Sequence, residues 1–105
     1  MRARAREAVL EEITRLNGDG QFRIRSVSMR DQKTRWGSCS RRRNLSFNWR
    51  VIMAPPEVLR YLVAHEMAHL REHNHSSRFW SLVESMQGDY TAPRQWLREQ
   101  AGCLR

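Results

Sequence analysis

All four histidines of this 105-residue chain fall within one eleven-residue stretch, at positions 65, 69, 73 and 75. His65-Glu66-Met67-Ala68-His69 spells H-E-x-x-H, a pattern in which two imidazoles hold a metal ion and a carboxylate works beside it. On an α-helix, residues four apart lie about 40° apart around the axis and one turn along it, so His65 and His69 can aim nitrogens at one ion. Glu66 is rotated too far round to be an obvious third ligand, but it can reach a water at the ion, which is where a general base stands. His73 continues the series of four, yet it lies about 12 Å along the axis from His65. Ligands of one zinc place their donor atoms within about 3.5 Å of each other, so a straight helix cannot gather His65, His69 and His73. His75, swung back by a reversal at Asn74, is the expected third ligand. Glu84 is the outside candidate, and His73 is left beside the site or facing water.

The elements that must position these residues can be read in outline. Pro55-Pro56 opens the metal helix, with Pro56 tolerable at its first position and Glu57 favourable in its first turn. Leu59, Leu62, Val63 and Leu70 recur at spacings of three and four, and the helix is expected to end at His73-Asn74, where Asn tolerates a left-handed turn. Upstream, Arg4 to Leu16 reads as a helix with Ala5, Val9, Ile13 and Leu16 on one face and Asn17-Gly18 as its stop. Residues 21 to 29 alternate as a strand whose phase slips between Ile24 and Val27. Trp36 to Ser40 and Leu45 to Arg50 read as strands joined by the turn Arg41-Arg42-Arg43-Asn44, Asn44 suiting a tight hairpin. Downstream, Ser76 is a good N-cap for a helix carrying Phe79, Leu82, Val83 and Met86, ended by Gly88-Asp89. Thr91-Ala92-Pro93 opens a last short helix with Trp96 and Leu97, closing near Gly102. The expectation is one α+β domain spanning 1–105, a small antiparallel sheet packed on the metal helix with flanking helices. Trp36, Trp49, Trp80 and Trp96 are read as core aromatics.

A longer pattern surrounds the pentapeptide. Arg35-Trp36-Gly37-Ser38-Cys39-Ser40, Asn44 to Trp49, Ala54-Pro55-Pro56, Tyr61, His65 to Leu70, and Asn74-His75-Ser76 with Phe79-Trp80 together resemble the YgjP-like metal-dependent hydrolases. These are zincin-type proteins related in motif to the SprT-like and WLM metalloproteases. Carried over by position, the resemblance implies His65, His69 and His75 as metal ligands and Glu66 as the catalytic carboxylate, in agreement with the geometric choice of His75. It implies a zinc-dependent metallopeptidase with protein or peptide substrates. Glu66 would take a proton from water and pass it to the leaving amine. Tyr90, Arg78, Tyr61 and His73 are candidates for oxyanion stabilisation, none of them assigned. Because zincins commonly pair substrate with the strand beside the metal helix, Leu45 to Arg50 is the strand expected to offer a free edge. Family members usually carry roughly as much chain again before this region, which frames these residues as a catalytic half or a short relative.

Charge supplies a rival reading. Residues 1–50 hold thirteen Lys/Arg against five Asp/Glu, whereas residues 51–105 hold six of each, so the whole net charge of +8 precedes the metal helix. Arg35, Arg41, Arg42, Arg43 and Arg50, interleaved with Trp36, Phe47 and Trp49, have the make-up of a phosphate-tracking surface with stacking partners. Nucleic acid is therefore the alternative partner, bound by a DNA-linked protease or by a basic module whose metal is structural. The first residues lack the apolar run of a signal peptide and no stretch is long enough to span a bilayer, which points to the cytoplasm and away from membranes. Cys39 and Cys103 lack metal or disulfide spacing and are read as free thiols. The oligomeric state is left open.

Overall fold

The computed structural model describes residues 2–18, 20–31 and 35–100, apart from the side chain of Arg2. Helix α1 (Arg2–Leu16) precedes strands β1 (Ser26–Arg30), β2 (Gly37–Cys39) and β3 (Asn44–Asn48). A 3-10 helix (Trp49–Met53) then leads into α2 (Pro56–Ala68), α3 (Ser77–Gln87) and α4 (Thr91–Gln100). The α+β expectation holds.

β3 is the middle of the sheet, in the order β1-β3-β2. Its alternation decides which face is covered: Leu45 and Phe47 are fully buried, while Asn44 and Ser46 on the other face are half-buried. The apolar face meets Val9 and Ile13 of α1 and Leu62, Val63 and Met67 of α2 in one core. The sheet is mixed, not antiparallel throughout: β2 pairs antiparallel with β3, but β1 pairs parallel with it, Ser28 opposite Ser46. The chain leaving β1 crosses to the far side of β3 before the β2–β3 hairpin begins, so β1 and β3 run the same way. β3 is therefore not the free edge expected of it. β2 holds that position beside α2.

Three local details also depart from expectation. In the hairpin it is Arg43, not Asn44, that adopts the left-handed conformation, with φ 67°. The Ser40 N–H bonds to the Asn44 carbonyl at 3.0 Å, leaving a three-residue loop, and such loops close on a left-handed third residue. Asn44 instead begins β3 and accepts from Ser26 Oγ at 2.7 Å. β3 stops at Asn48, whose side chain accepts from the Arg50 N–H at 3.0 Å and so caps the 3-10 helix, where the strand was expected to continue. Upstream, the strand expected over 21–29 forms as β1 only from Ser26, running on to Arg30, and the stretch before it is drawn aside at Phe22, both of whose backbone groups bond to the side-chain amide of Asn17 at 2.9 Å.

α2 is the hub. Pro56 stands in its first turn with Glu57, and Val58, Tyr61, Leu62, Val63, Ala64, Met67 and Ala68 are all buried, so neighbours cover it on almost every side. It ends at Ala68, earlier than expected: the Leu70 N–H bonds to the Met67 carbonyl at 3.0 Å and the Arg71 N–H to the Ala68 carbonyl at 3.1 Å, the three-residue spacing that tightens a last turn. α3 begins as expected, with Ser76 Oγ accepting from the Phe79 N–H at 3.4 Å, and Gly88 ends it with φ 83°. The four tryptophans are half-buried rather than core residues. Cys103 and the helix end expected near Gly102 lie outside the described residues.

Candidate metal centre

The tightened turn after Ala68 and the cap at Ser76 bend the chain so that His75 returns to face the end of α2. The ring centroids of His65, His69 and His75 lie 5.1, 5.3 and 4.9 Å apart, and one ligating atom from each falls within 4.8 Å of the others. Among the described residues this is the one cluster of three or more groups suited to hold an ion. His73 is exposed, and Glu84 lies on the exposed side of α3 outside the cluster.

Hydrogen bonds engage the Nδ1 atoms of two of the three rings. His65 Nδ1 meets Tyr61 Oη at 3.2 Å, and His69 Nδ1 meets the Glu72 carbonyl at 3.2 Å. A carbonyl can only accept, so His69 carries its proton on Nδ1 and leaves Nε2 bare. His69 Nε2 and His75 Nε2 stand 3.2 Å apart, close to the spacing of two nitrogens bound tetrahedrally at about 2.0 Å from one zinc. Burial, then the neighbouring His69 and His75, then Arg94 push His65 down to about 3, and burial also lowers His69. Both are thus neutral near pH 7, the form that binds metal. The donor set fits a divalent ion of zinc type.

Phe79 forms the floor beneath all three imidazoles, its ring 5.0, 4.9 and 4.5 Å from those of His65, His75 and His69. Trp80 stacks on His75 at 5.7 Å. Spacing alone read Phe79 as an ordinary core residue of α3; its place three residues after Ser76, where its N–H donates to the cap, is the signal that ties it to His75.

Glu66 points from α2 toward β2 and is 5% exposed. A methyl group at Gly37 would come within 3.3 Å of Glu66 Oε2 and 3.1 Å of the Ser46 carbonyl, so the slot for this carboxyl exists because residue 37 has no side chain. Burial pushes Glu66 up to about 8, opposed by the positive charge of Arg35. Cys39, on the same strand, is raised to about 11 by burial and then by Glu66, which makes it a packed thiol and not a nucleophile. Of the residues considered for the oxyanion, Tyr61 is buried behind His65, Tyr90 stacks on Trp80 at 5.1 Å, and Arg78 and His73 are exposed. The stacking partners expected for a nucleic-acid surface are largely taken: Phe47 is fully buried, Trp36 packs on Trp96 at 5.8 Å, and Arg50 lies over Trp49 at 4.9 Å.

An H-E-x-x-H helix beside a small sheet, with a third histidine returned by the turn that leads into the next helix, has the zincin-like fold of a metallopeptidase. The chain belongs to the YgjP-like family: the profile of the YgjP-like metallopeptidase domain matches residues 1–100. Its fold is similar to that of the crystallised metallopeptidase zymogen abylysin of Pyrococcus abyssi, at a TM-score of 0.68 and 22% identity over 96% of both chains. It is also similar to that of the zymogen jannalysin of Methanocaldococcus jannaschii, at a TM-score of 0.67 and 20% identity over 91% of this chain and 95% of that one. No curated protein matches it in sequence. The protein is a metal-dependent peptidase by family, and no described helix is long and apolar enough to cross a membrane.

Proposed function

We propose that this chain hydrolyses peptide bonds using zinc held by Nε2 of His65, His69 and His75, with Glu66 as the proton carrier. The observation that supports this most directly is the convergence of three imidazoles at the end of α2, next to the buried carboxyl of Glu66. Structural zinc sites favour four protein ligands and cysteine, whereas catalytic sites keep a position open. Zinc, when bound, supplies Lewis acidity to the scissile carbonyl and to the attacking water. Arg35, and the charge of an ion held at the histidines, would favour the carboxylate form of Glu66 against its burial, leaving a base that accepts the water proton and returns it to the departing amine. Tyr61 and the Glu72 carbonyl hold two of the rings in orientation. β2, paired only through β3, offers a free edge next to Glu66 along which an extended peptide can add as a strand.

The test is a pair of substitutions. Glu66→Gln should keep about one zinc per chain by mass spectrometry while slowing cleavage of an unstructured protein such as casein by about 10²-fold or more. His75→Ala should lose the metal itself. Wild-type cleavage rates in Glu66→Gln would overturn the assignment.

A second reading concerns partners. Arg35 and the turn residues Arg41, Arg42 and Arg43 are all exposed, which supports contact with nucleic-acid phosphates, now without the aromatic stacking expected of it. The free thiol of Cys39 suits a reducing, cytoplasmic setting.

A further inference from the structure

Next to the histidines lies a cavity of about 340 Å³, between α2, α3 and α4. Its wall is aromatic, from Trp36, Tyr61 and Trp80, and Leu62 and Leu97 add aliphatic surface. His65 and His75 form one side, and the charged residues that line it are Arg94 and Arg98, with no acid among them. The two arginines differ from the others whose ion pairs are seen. Arg15 and Arg60 pair with Glu12 and Arg50 pairs with Asp31, but among the described residues neither Arg94 nor Arg98 is in a salt bridge. Arg94 lies with its guanidinium carbon 4.5 Å from the ring centroid of Trp80, a cation–π contact that holds the charge beside the cavity. Its charge is felt by His65 and Tyr61, and that of Arg98 by Tyr61, so both face the site. Trp36 adds an indole N–H that is buried and has no hydrogen-bond partner among the described residues.

We propose that this cavity is a substrate subsite that binds a carboxylate of the peptide through Arg94 and Arg98, with the carbon skeleton that bears it against Trp36, Trp80 and Leu97. This rests on the peptidase reading given above and names which peptides the site takes. A guanidinium restrained over an indole is a preorganised donor for two parallel bonds to a carboxylate, and apolar walls strengthen each bond by lowering the local dielectric. An ion held by the histidines would supply positive charge to the scissile carbonyl. A separate cationic anchor lining the same cavity as His65 and His75 sets which part of the peptide lies across it. The carboxylate has two sources, an Asp or Glu side chain near the scissile bond or the free C-terminus of a peptide.

The experiment uses zinc-loaded Glu66→Gln protein and calorimetric binding of four short peptides: one with an internal Glu, its Gln counterpart, one with a free C-terminus, and its C-terminal amide. Binding should favour the charged member of one pair by about tenfold, and the pair that discriminates identifies the source. Arg94→Gln should abolish the preference, Arg98→Gln should weaken it, and Arg94→Lys should retain part of it, because Lys keeps the charge without the fork. Equal binding within both pairs, or a preference untouched by Arg94→Gln and Arg98→Gln, would overturn the subsite. Cleavage of the same peptides by the wild-type protein separates the two ideas: discrimination in binding without any cleavage counts against the peptidase reading and leaves the subsite standing, and cleavage without discrimination does the reverse.

Discussion

Tyr61 precedes His65 by one helical turn, and that spacing alone fits either a packing residue or one that lines the site. The structure resolves the choice through a 3.2 Å contact between its hydroxyl and Nδ1 of the ligand ring, at a side chain only 3% exposed. Tyr61→Phe should leave the fold unchanged and lower zinc affinity by about tenfold, read by competition with a chromophoric chelator, because a ligand ring that loses its outer partner is less firmly oriented. Affinity equal to wild type would mean that packing alone holds the ring. Glu66 gives a pH-dependent prediction for protein stripped of metal. Its carboxyl is raised from an ordinary 4.5 to about 8, so the folded state holds the proton more tightly than the unfolded chain. The associated stability is whole below about pH 4.5 and is lost as pH rises towards 8. The thermal midpoint of Glu66→Gln minus that of wild type, both metal-free, should therefore grow steadily across that window. A flat difference would show that Glu66 is solvated in the metal-free protein. At this scale the three histidines that cluster could be read from the sequence, because donor distance along a helix excludes His73 by arithmetic; the places of Tyr61 and Phe79 could not, because they depend on where a hydroxyl and a ring face, and spacing leaves that open.

The contact between β2 and α2 governs the site at the next scale. β2 is three residues long and brings Gly37 against the carboxyl of Glu66, with the Ser46 carbonyl of β3 behind it. Gly37→Ala adds one methyl group where two neighbours already stand closer than ordinary contact allows. The side chain of Glu66 is the more easily moved of the two. Peptidase activity should fall at least about tenfold with metal content unchanged, since a misplaced proton carrier costs rate more than it costs binding. Full activity in this variant would show that the slot has room to spare. The helices were legible as elements because caps and apolar spacing agree at Asn17, Pro56, Ser76 and Gly88. The sheet was legible only as strands. Nothing local in Ser26–Arg30 records that it pairs parallel with β3, and Asn48 could be read as continuing a strand until its side chain is seen capping the next turn. Strand order is set by which side of β3 the crossing chain takes, a choice made by the packing of α1 and α2 over the sheet and not by the strand residues.

Across the whole molecule, charge and chemistry divide along the chain. The net +8 precedes α2, and the exposed Arg41, Arg42 and Arg43 stand together on the turn between β2 and β3. If these residues track phosphates, binding to DNA should fall steeply with rising salt, and replacing all three by alanine should lower the slope of log affinity against log salt by about 2 to 3. An unchanged slope would remove the turn from any such interface. The basic surface was visible in composition, but the loss of its aromatic partners was not, because burial of Phe47 and the cover of Arg50 over Trp49 arise only when the chain folds. The three clustered histidines lie within one short stretch from α2 to the start of α3, whereas the wall that encloses Glu66 arrives from β2, far earlier in the sequence. Closing a short loop costs little entropy and needs no sheet, while bringing β2 to α2 is a long-range event. On the proposed mechanism, custody of the ion needs only neighbours in the chain, while the power to cut depends on a strand that must arrive from far away.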